Sequence, residues 1–326
     1  MNNIAVTGTG SLVGQAIIKS IKSSRFKSNK LIGMDYFSDT IGSYWTDSNY
    51  VLPDILDDGV DNGTWVDFIV TVIQENKVKI LFIGVDFELY LFSKYKHYIE
   101  NLTSCVIVVS DKKTIKIADD KYLTYKFLKD NHFNYPLTFL KSEIDNAIAK
   151  EEITFPMVVK PRNGYRSVNV YVVRDKIELY EKIQLIENPI IQEYIGNDKT
   201  EYTCGVITFY GNVKQSIVLK RDLKDGNTSI TYLKNSFPRI IKEYIEKVSA
   251  ELGQFGVCNF QLRVDNNIPK IFEINARHSG TTYFRSIYGF NEIEYLLEYF
   301  LNNKEIEFKT REGIVQRYFD EFFVEL

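Results

Sequence analysis

The regular alternation of strands and helices over the first hundred or so residues is what most constrains the fold of this 326-residue chain. Asn3–Thr7 is an apolar segment typical of a strand, a glycine-containing turn follows it, and residues 12–21 carry the apolar spacing of a helix. The same rhythm continues with a strand at 31–34, a helix at 65–75 and strands at 79–85 and 104–109. Strands that alternate with helices form a parallel sheet covered on both faces. We therefore predict an α/β, Rossmann-like lobe at residues 1–110.

The pattern changes beyond residue 110 to an α+β arrangement. A helix is predicted at 121–131, and short strands are predicted at 157–160, 169–173, 189–194, 203–209 and 213–219. Pro238 then opens an amphipathic helix that Gly253 closes. We predict two further lobes, residues 111–190 and 191–310, with residues 311–326 forming a strand-like tail that packs back on the body.

The balance of charges argues against one class of partner. The chain has 40 Lys and Arg against 43 Asp and Glu, mixed along its length, so it lacks the basic stripe of a nucleic-acid-binding protein. No apolar run approaches the roughly 18–20 residues of a membrane span, and the first residues lack the pattern of a signal peptide. Three scattered cysteines without a CxxC pair fit a reducing compartment. We therefore expect a cytoplasmic protein with no nucleic-acid or membrane partner.

Two predicted strands joined across Asp265-Asn266-Asn267 carry polar side chains on one shared face. Alternation places six residues there: Asn259, Gln261 and Arg263 on the first strand, and Glu273, Asn275 and Arg277 on the second. An ordinary solvent-exposed sheet face gives the same alternation. Asparagine is poor in strands, however, and Gly280-Thr281-Thr282 directly afterwards can turn backbone N–H groups toward an anion. Both features favour a functional surface.

The polar residues of this hairpin suit a divalent cation. Magnesium takes oxygen ligands and usually keeps one or two carboxylates together with substrate phosphates. Glu273 bridging two ions, with carbonyl oxygens from Asn275 and Gln261, satisfies that requirement. Arg277 is then placed to meet a transferring phosphoryl group or a product oxyanion. The hairpin therefore predicts a site for magnesium and phosphoryl transfer.

Residues upstream of the hairpin predict the other half of a nucleotide site. An apolar strand ends in Lys160, and residues 162–167 form a polar, basic loop. A lysine that leaves a buried strand beside such a loop suits a phosphate clamp, whereas a single lysine in that place is usually just solvated. The backbone of residues 190–195 can pair with an adenine edge, and Glu201, eight residues past Glu193, is placed for ribose hydroxyls.

The order of these elements resembles the ATP-grasp superfamily, most closely its carbamoyl phosphate synthase large-subunit-like branch. The likeness runs along nearly the whole chain through the Gly8–Gly14 turn, Asp86-Phe87-Glu88-Leu89, Asp120-Lys121, FPMVVKP, IIQEYI, EYTCGV, and NFQLRV with KIFEINARHSGTT. The resemblance implies a Rossmann-like N-terminal lobe followed by a two-lobed ATP-grasp fold. The chain departs from the family in the 162–167 loop, which has one glycine where relatives often have several. The closure of this loop over ATP and the roles of Arg162 and Arg166 are therefore open.

The resemblance also implies the cofactors and the roles of particular residues, with Mn²⁺ as an alternative to Mg²⁺. These roles are ATP phosphate binding by Lys121 and Lys160; adenine binding by Glu193, Tyr194 and Ile195; ribose binding by Glu201; Mg²⁺ ligation by Gln261, Glu273 and Asn275; and catalysis by Arg277, Asn275 and Lys160, with Arg277 stabilising an acyl phosphate.

The implied reaction is a Mg-ATP-dependent ligation of a small-molecule carboxylate to an amine. The carboxylate attacks the γ-phosphate to give an acyl phosphate and ADP, and the amine then displaces phosphate to form an amide-like bond. Two alternatives stay open: a carbamoyl phosphate synthase-like enzyme that makes a carboxyphosphate-derived product, and a nucleotide-binding subunit without turnover. Dimers are common in this family, which is a reason to expect a homodimer.

The glycine turn that follows the first strand also invites a NAD-binding interpretation, because Asp35 follows at a suitable distance. Its spacing is GxGxxxG, one residue longer than the dinucleotide pattern before the last glycine. Similar turns open the first lobe of ATP-grasp ligases, so the ligase interpretation is preferred. Lys220, Arg221 and Arg285 are candidate anchors for a substrate carboxylate, with solvated surface charges as the alternative.

Overall fold

The computed structural model describes residues 2–164 and 168–324, and its first lobe is built on a parallel sheet. The elements of this lobe are β1 (Asn3–Thr7), α1 (Leu12–Lys22), β2 (Leu31–Asp35), α2 (Ile41–Tyr44), β3 (Ser48–Val51), α3 (Asn62–Glu75), β4 (Val78–Phe82), α4 (Leu89–Thr103) and β5 (Val106–Val108). The strands lie in the order β3-β2-β1-β4-β5, and every neighbouring pair is parallel. The predicted α/β lobe is confirmed, although the short polar edge strand β3 has no clear signal in the sequence.

The turn between β1 and α1 brings two backbone segments into close contact. A Cβ atom on Gly14 would lie 2.1 Å from the carbonyl oxygen of Gly8, so this approach requires glycine. The Asp35 carboxylate accepts a hydrogen bond from the Gly10 N–H at 2.7 Å and another from the Thr9 hydroxyl at 3.2 Å. The acid that a dinucleotide ribose would need is thus bound to the turn itself, which argues against the NAD interpretation.

A buried carboxyl group lies behind this turn, at the start of α4. Glu88 is fully buried and accepts hydrogen bonds from the Thr7 hydroxyl and, at 2.8 Å, from the Tyr36 hydroxyl. Burial raises the pKa of Glu88 to about 8, even though both hydrogen bonds act to lower it. The Glu88 carboxyl is therefore mostly protonated at neutral pH.

The substitution Glu88→Gln is expected to remove a pH dependence of the stability. The folded protein keeps a proton on Glu88 up to about pH 8, whereas the unfolded chain releases it near the ordinary pKa of 4.5. This contribution is fully present below the unfolded pKa and is lost as pH rises through the folded pKa, at up to about 1.4 kcal/mol per pH unit. Denaturant unfolding between pH 5 and 9 should show the wild type losing stability relative to Glu88→Gln. Parallel pH profiles would contradict a protonated Glu88.

The middle of the chain forms a smaller antiparallel sheet. Two helices, α5 (Lys112–Asp119) and α6 (Lys121–Asp130), come before it. The elements of the small lobe are β6 (Thr138–Leu140), α7 (Ile144–Ala149), β7 (Met157–Pro161), β8 (Tyr171–Val173), α8 (Lys176–Gln184) and β9 (Pro189–Glu193). The strand order is β6-β9-β7-β8, with antiparallel pairing throughout. The expected lobe boundary at residue 190 falls inside β9, and the division of the chain into lobes stays a prediction.

The last part of the chain forms the largest sheet. Its elements are β10 (Glu201–Phe209), β11 (Asn212–Lys224), β12 (Asn227–Leu233), α9 (Arg239–Leu252), β13 (Phe255–Asp265), β14 (Ile268–Asn275), α10 (Thr282–Ile287), α11 (Glu292–Asn302) and β15 (Gly313–Gln316). The antiparallel strand order is β14-β13-β10-β11-β12-β15. The tail therefore returns to the body through β15, which pairs with β12. Among the described residues, no helix combines the length and the apolar character needed to cross a bilayer.

Two large apolar cores join the parallel sheet to the six-stranded sheet. One contains Ile107 of the first lobe, Leu128 of α6 and Ile274 of β14. The other contains Phe82 of β4 and Ile207 of β10. The four-stranded sheet instead packs α7 and α8 around a core of its own. The small lobe is thus packed independently, whereas α5 and α6 belong to the larger body.

A buried ion pair shapes the segment that follows β14. Arg285 and Glu292 are both fully buried, and the Arg285 Nε donates to Glu292 Oε2 at 2.6 Å. Burial acts to raise the pKa of Glu292, but the charge of Arg285 and a hydrogen bond to His278 outweigh it and hold the pKa at about 2. The Arg285 Nη1 also donates to Asn259 Oδ1 at 3.1 Å. Arg285 is therefore part of the structural core, and its suggested role as a substrate anchor is wrong.

Candidate active site

A cleft of about 870 Å³ lies between the four-stranded sheet and the six-stranded sheet. Part of its wall is apolar, with the side chains of Val158, Val172, Leu223 and Phe272. The rest is charged and includes the two lysines that the sequence singles out. A cleft that combines apolar walls with cations suits a nucleotide, whose base is apolar on its faces and whose tail is anionic.

The two lysines converge on this cleft from different elements. Lys160 lies near the end of β7, is buried, and donates from Nζ to Gln192 Oε1 at 2.8 Å and to the Phe272 carbonyl at 3.4 Å. Lys121 begins α6 and donates from Nζ to the Gly164 carbonyl at 2.9 Å. Burial lowers the pKa of Lys160 to about 7, and the charge of Lys121 acts in the same direction. Within the ranges 2–164 and 168–324, both ammonium groups hydrogen-bond to neutral partners only, so an incoming polyanion would be stabilised here.

The N-terminus of α6 fixes the base of the loop that starts at residue 162. Asp120 caps the helix by accepting from the Tyr122 N–H at 2.9 Å, and the same carboxylate is bound by the Arg162 guanidinium at 2.7–2.8 Å. Arg162 therefore holds the loop against Lys121. Arg166, the other arginine of the loop, lies outside the described residues.

The predicted adenine-binding segment borders the same cleft. Glu193 ends β9, and its carboxylate is engaged by Lys270 Nζ at 2.5 Å and by the Leu137 N–H at 2.9 Å. Tyr194 and Ile195 line the cleft beyond the last paired residue of the strand, so the sheet does not use their backbone. The side chain of Glu193 is thus already paired within the protein, and the Ile195 carbonyl accepts from Arg263 Nη1 at 3.4 Å. The binding of adenine by Glu193, Tyr194 and Ile195 stays a prediction.

The predicted ribose ligand lies between two arginines that the sequence does not connect to it. Glu201 begins β10 and is buried; its Oε1 accepts from Arg221 Nε at 2.9 Å and Nη2 at 2.6 Å. Its Oε2 accepts from Arg263 Nε at 2.8 Å and lies 2.8 Å from Arg263 Nη2. Each carboxylate oxygen is therefore in contact with two guanidinium nitrogens, which fills the two acceptor positions that such an oxygen usually offers. A ribose hydroxyl would bind here only in place of one of these arginine contacts.

The three predicted metal ligands lie side by side on the β13–β14 hairpin. The register pairs Gln261 with Glu273, and Asn275 follows on the same face of β14. Glu273 Oε1 accepts from Asn275 Nδ2 at 2.9 Å and from Gln261 Nε2 at 3.3 Å. Among the described residues no group of three or more His, Cys, Asp or Glu side chains forms a metal site by itself. One carboxylate with two amide oxygens fits a hard cation that takes further ligands from phosphate and water, as Mg²⁺ does.

The predicted catalytic arginine is held by an acid from the first lobe. Arg277 donates from Nε to Asp86 Oδ1 at 2.5 Å and from Nη2 to Asp86 Oδ2 at 2.9 Å. The same Nη2 donates to Asn275 Oδ1 at 3.1 Å. This bidentate pair crosses between the parallel sheet and the hairpin, so it orients Arg277 beside the three predicted metal ligands.

A second cleft, of about 1080 Å³, adjoins the first. The first lobe contributes the turn at residues 11–13 and residues 84–87, and the larger sheet contributes Arg277 and the segment 279–281. Arg221, Gln261 and Glu273 line both clefts. The hairpin therefore stands at the junction of the two clefts.

The two remaining candidate anchors for a substrate carboxylate, Arg221 and Lys220, differ in their position relative to the clefts. Arg221 lies at the junction but is bound to Glu201 and, at 2.8 Å, to Gln261 Oε1. Lys220 points elsewhere, with its Nζ 5.7 Å from the centre of the Tyr232 ring, and it lines neither cleft.

Three charged residues of the site have no assigned role in the sequence prediction: Asp86, Arg263 and Arg317. Asp86 lies in one of the motifs that resemble the ATP-grasp superfamily, and Arg263 lies on the predicted polar face of the hairpin, so the sequence contains a signal for both. It contains no such signal for Arg317.

Comparison with known proteins identifies the class. The profile of the ATP-grasp domain matches residues 118–281, half of the chain, and covers both lysines and the hairpin. The chain therefore belongs to the ATP-grasp family. This confirms the superfamily and the fold predicted from the sequence.

Several members resemble the chain more specifically. The D-alanine–D-alanine ligase A of Bacillus cereus is 29% identical over 182 residues, which are 51% of this chain and 60% of that protein. Among solved structures, an L-amino acid ligase from Bacillus licheniformis has a TM-score of 0.71 at 17% identity, covering 94% of this chain and 75% of that one. The N5-carboxyaminoimidazole synthetase from Staphylococcus aureus, complexed with ADP, has a TM-score of 0.73 at 15% identity, covering 97% and 82%.

The predicted carbamoyl phosphate synthase branch is supported only in part. The large chain of that enzyme from Neisseria meningitidis serogroup B is 24% identical over 195 residues, which are 55% of this chain but 18% of that protein. The chain spans about three fifths of the length of the D-alanine ligases it matches. The matches therefore fix the superfamily and leave the branch as a prediction.

Proposed function

We propose that the protein is a Mg-ATP-dependent carboxylate–amine ligase that works through an acyl phosphate. The observation that carries this proposal is the junction of the two clefts at Gln261 and Glu273. A nucleotide in the first cleft and a carboxylate in the second would meet at that junction, beside Arg277. The relatives named as amino acid ligases support the same reaction class.

The nucleotide would be held by the groups of the first cleft. Lys121 and Lys160 would bind its phosphates, the backbone of Tyr194 and Ile195 would pair with the adenine edge, and Glu201 would accept a ribose hydroxyl. Each ammonium group already hydrogen-bonds to neutral partners, so the two lysines would contribute to nucleotide binding mainly through the attraction of their charge to the phosphates.

Gln261, Glu273 and Asn275 would hold the magnesium ion. When bound there, Mg²⁺ would neutralise charge on the β- and γ-phosphates. Manganese, which prefers similar ligands, is the alternative.

Two chemical steps follow from this arrangement. An oxygen of the substrate carboxylate attacks the γ-phosphorus, the bond to the β-bridging oxygen breaks, and ADP leaves. An amine then attacks the acyl carbon, the bond to phosphate breaks, and the amine loses a proton as the amide forms. Arg277, oriented by Asp86, would stabilise the oxygen charge of the acyl phosphate in both steps. Most of the acceleration would come from alignment and charge neutralisation.

A coupled ADP-release assay tests the proposal. Purified protein with Mg-ATP should release ADP over many turnovers only when a carboxylate and an amine are supplied together, and mass spectrometry should find a product heavier than the carboxylate by the amine less one water. Release stimulated by bicarbonate would instead favour the carbamoyl phosphate synthase-like alternative. Nucleotide binding without release for any pair would favour a non-catalytic subunit. The cytoplasmic location and the homodimer stay predictions.

A further inference from the structure

Among the described residues, the second cleft contains one cation that no acid neutralises. Its charged lining consists of Arg221, Arg277, Arg317, Asp86 and Glu273. Arg277 is paired with Asp86, and Arg221 is paired with a buried glutamate outside the cleft. Glu273 is bound only by side-chain amides in the hairpin. The positive charge that remains is that of Arg317.

Arg317 is fixed in place by neutral groups. It follows β15 directly, and its Nε donates to the Thr228 carbonyl at 3.1 Å while its Nη2 donates to the Gly280 carbonyl at 2.8 Å. Its guanidinium carbon lies 5.0 Å from the centre of the Phe284 ring. Among the described residues no carboxylate is within salt-bridge distance of it. These contacts orient the guanidinium without compensating its charge, and Nη1 keeps its hydrogen-bond donors.

The surroundings of Arg317 strengthen the local positive potential. Burial lowers the pKa of the Arg317 guanidinium, and none of the acids in the described part of the chain offsets that effect. Lys19 of α1 lies close enough that the charge of Arg317 lowers the Lys19 pKa, after burial as the larger cause; Asp320 of the tail raises it in part. Lys19 itself does not line the second cleft. An anion that enters beside Arg317 would therefore find a partly desolvated cation with open donors.

We propose that Arg317 binds a carboxylate of the substrate in the second cleft, separate from the carboxylate that is phosphorylated, and that this substrate is an amino acid acting as the amine donor. An amino acid carries both required groups: an amine to direct toward the hairpin and a carboxylate to direct toward the tail. Gly280 and Leu12, which both line this cleft, are in close contact: a Cβ atom on Gly280 would lie 2.7 Å from Leu12 Cδ2. The use of the amino acid as an amine donor rests on the proposed function, whereas the binding of a carboxylate by Arg317 does not.

The first arm of the test measures binding without turnover. Thermal shifts are recorded for wild type and Arg317→Met with millimolar amino acids and, in parallel, with their carboxamides. We expect some amino acids to stabilise the wild type, their carboxamides not to do so, and Arg317→Met to lose the effect. Arg317→Lys should keep part of it because the charge remains. Equal shifts with acids and carboxamides, an unaltered response in Arg317→Met, or no protection of the wild type would each overturn the proposal.

The second arm uses ADP release with any pair that is active in the wild type. Arg317→Met should raise the KM for the amino acid about 10- to 100-fold, in line with the loss of hydrogen bonds to a charged group, while the KM for ATP stays unchanged. Arg311→Met is the matched control: Arg311 also donates to a carbonyl, that of Ile287, but is exposed and lines neither cleft. A positive binding arm without ADP release would reject the ligase function and keep the anion site. An equal effect of both substitutions on the KM would overturn the role of Arg317.

Discussion

The substitution Glu273→Gln is expected to lower substrate-dependent ADP formation by about 10²- to 10³-fold. Glu273 is the one carboxylate among the three predicted metal ligands, and the change replaces its negative charge with a neutral amide of the same shape. The two neighbouring amides, Gln261 and Asn275, donate N–H groups to Glu273 Oε1. A glutamine oxygen can still accept those bonds, so the hairpin should fold normally. The expected loss is therefore one of cation binding and charge neutralisation.

The measurement compares ADP release over a range of Mg²⁺ concentrations. Raising Mg²⁺ should partly restore the Glu273→Gln rate if the defect is weak cation binding, and nucleotide binding measured without metal should stay close to that of the wild type. Asp265→Asn, at the far end of the same hairpin and outside both clefts, is the matched control and should keep full activity. Full ADP production by Glu273→Gln would remove Glu273 from the assigned role.

The hairpin that carries Glu273 is the part of the site that local sequence could predict. Period-two alternation and a tight turn determine which residues share a face, and the pairs Asn259–Asn275 and Gln261–Glu273 are found in register. The turn residues Asn266 and Asn267 both have positive φ, as a two-residue hairpin connection requires. One residue differs in role, since Asn259 is buried and binds Arg285. Strand periodicity identifies the face but not which part of it reaches the cleft.

Contacts between distant segments could not be predicted from one sequence. Arg277 pairs with Asp86 across 191 positions, and Glu201 is bound by both Arg221 and Arg263. Such pairs depend on how the sheets pack, and no local pattern records that. The burial of Arg285 is hidden for the same reason, because a buried arginine and a solvated one look alike along the chain. Four strands of the Rossmann-like lobe, β1, β2, β4 and β5, are mostly apolar and can be predicted from the sequence, whereas its polar edge strand β3 and strand β12 of the largest sheet cannot.

The substitution Lys160→Met is expected to lower ADP formation by about 10²- to 10³-fold and to abolish proton uptake on nucleotide binding. Among the residues that the structure describes, the buried ammonium of Lys160 hydrogen-bonds only to neutral groups, the side-chain oxygen of Gln192 and the carbonyl of Phe272, and burial lowers its pKa to about 7. Nucleotide phosphates beside it would raise that pKa again, because an opposite charge favours the charged form. Below about pH 6 Lys160 is already protonated, so nucleotide binding should take up few protons. Near pH 8 to 9 binding should take up close to one proton.

Isothermal titration with ADP in buffers of different ionisation enthalpy measures that proton uptake directly. Lys141→Met removes an exposed lysine of the same small lobe and should leave both the uptake and the rate unchanged. The lowered pKa of Lys160 means that burial of its charged form opposes folding; this cost is fully present below pH 7 and is lost as pH rises toward 10.5. Removing the charge therefore removes that cost. Wild-type proton uptake in Lys160→Met would assign the titrating group elsewhere and would leave Lys121 as the sole lysine of the phosphate site.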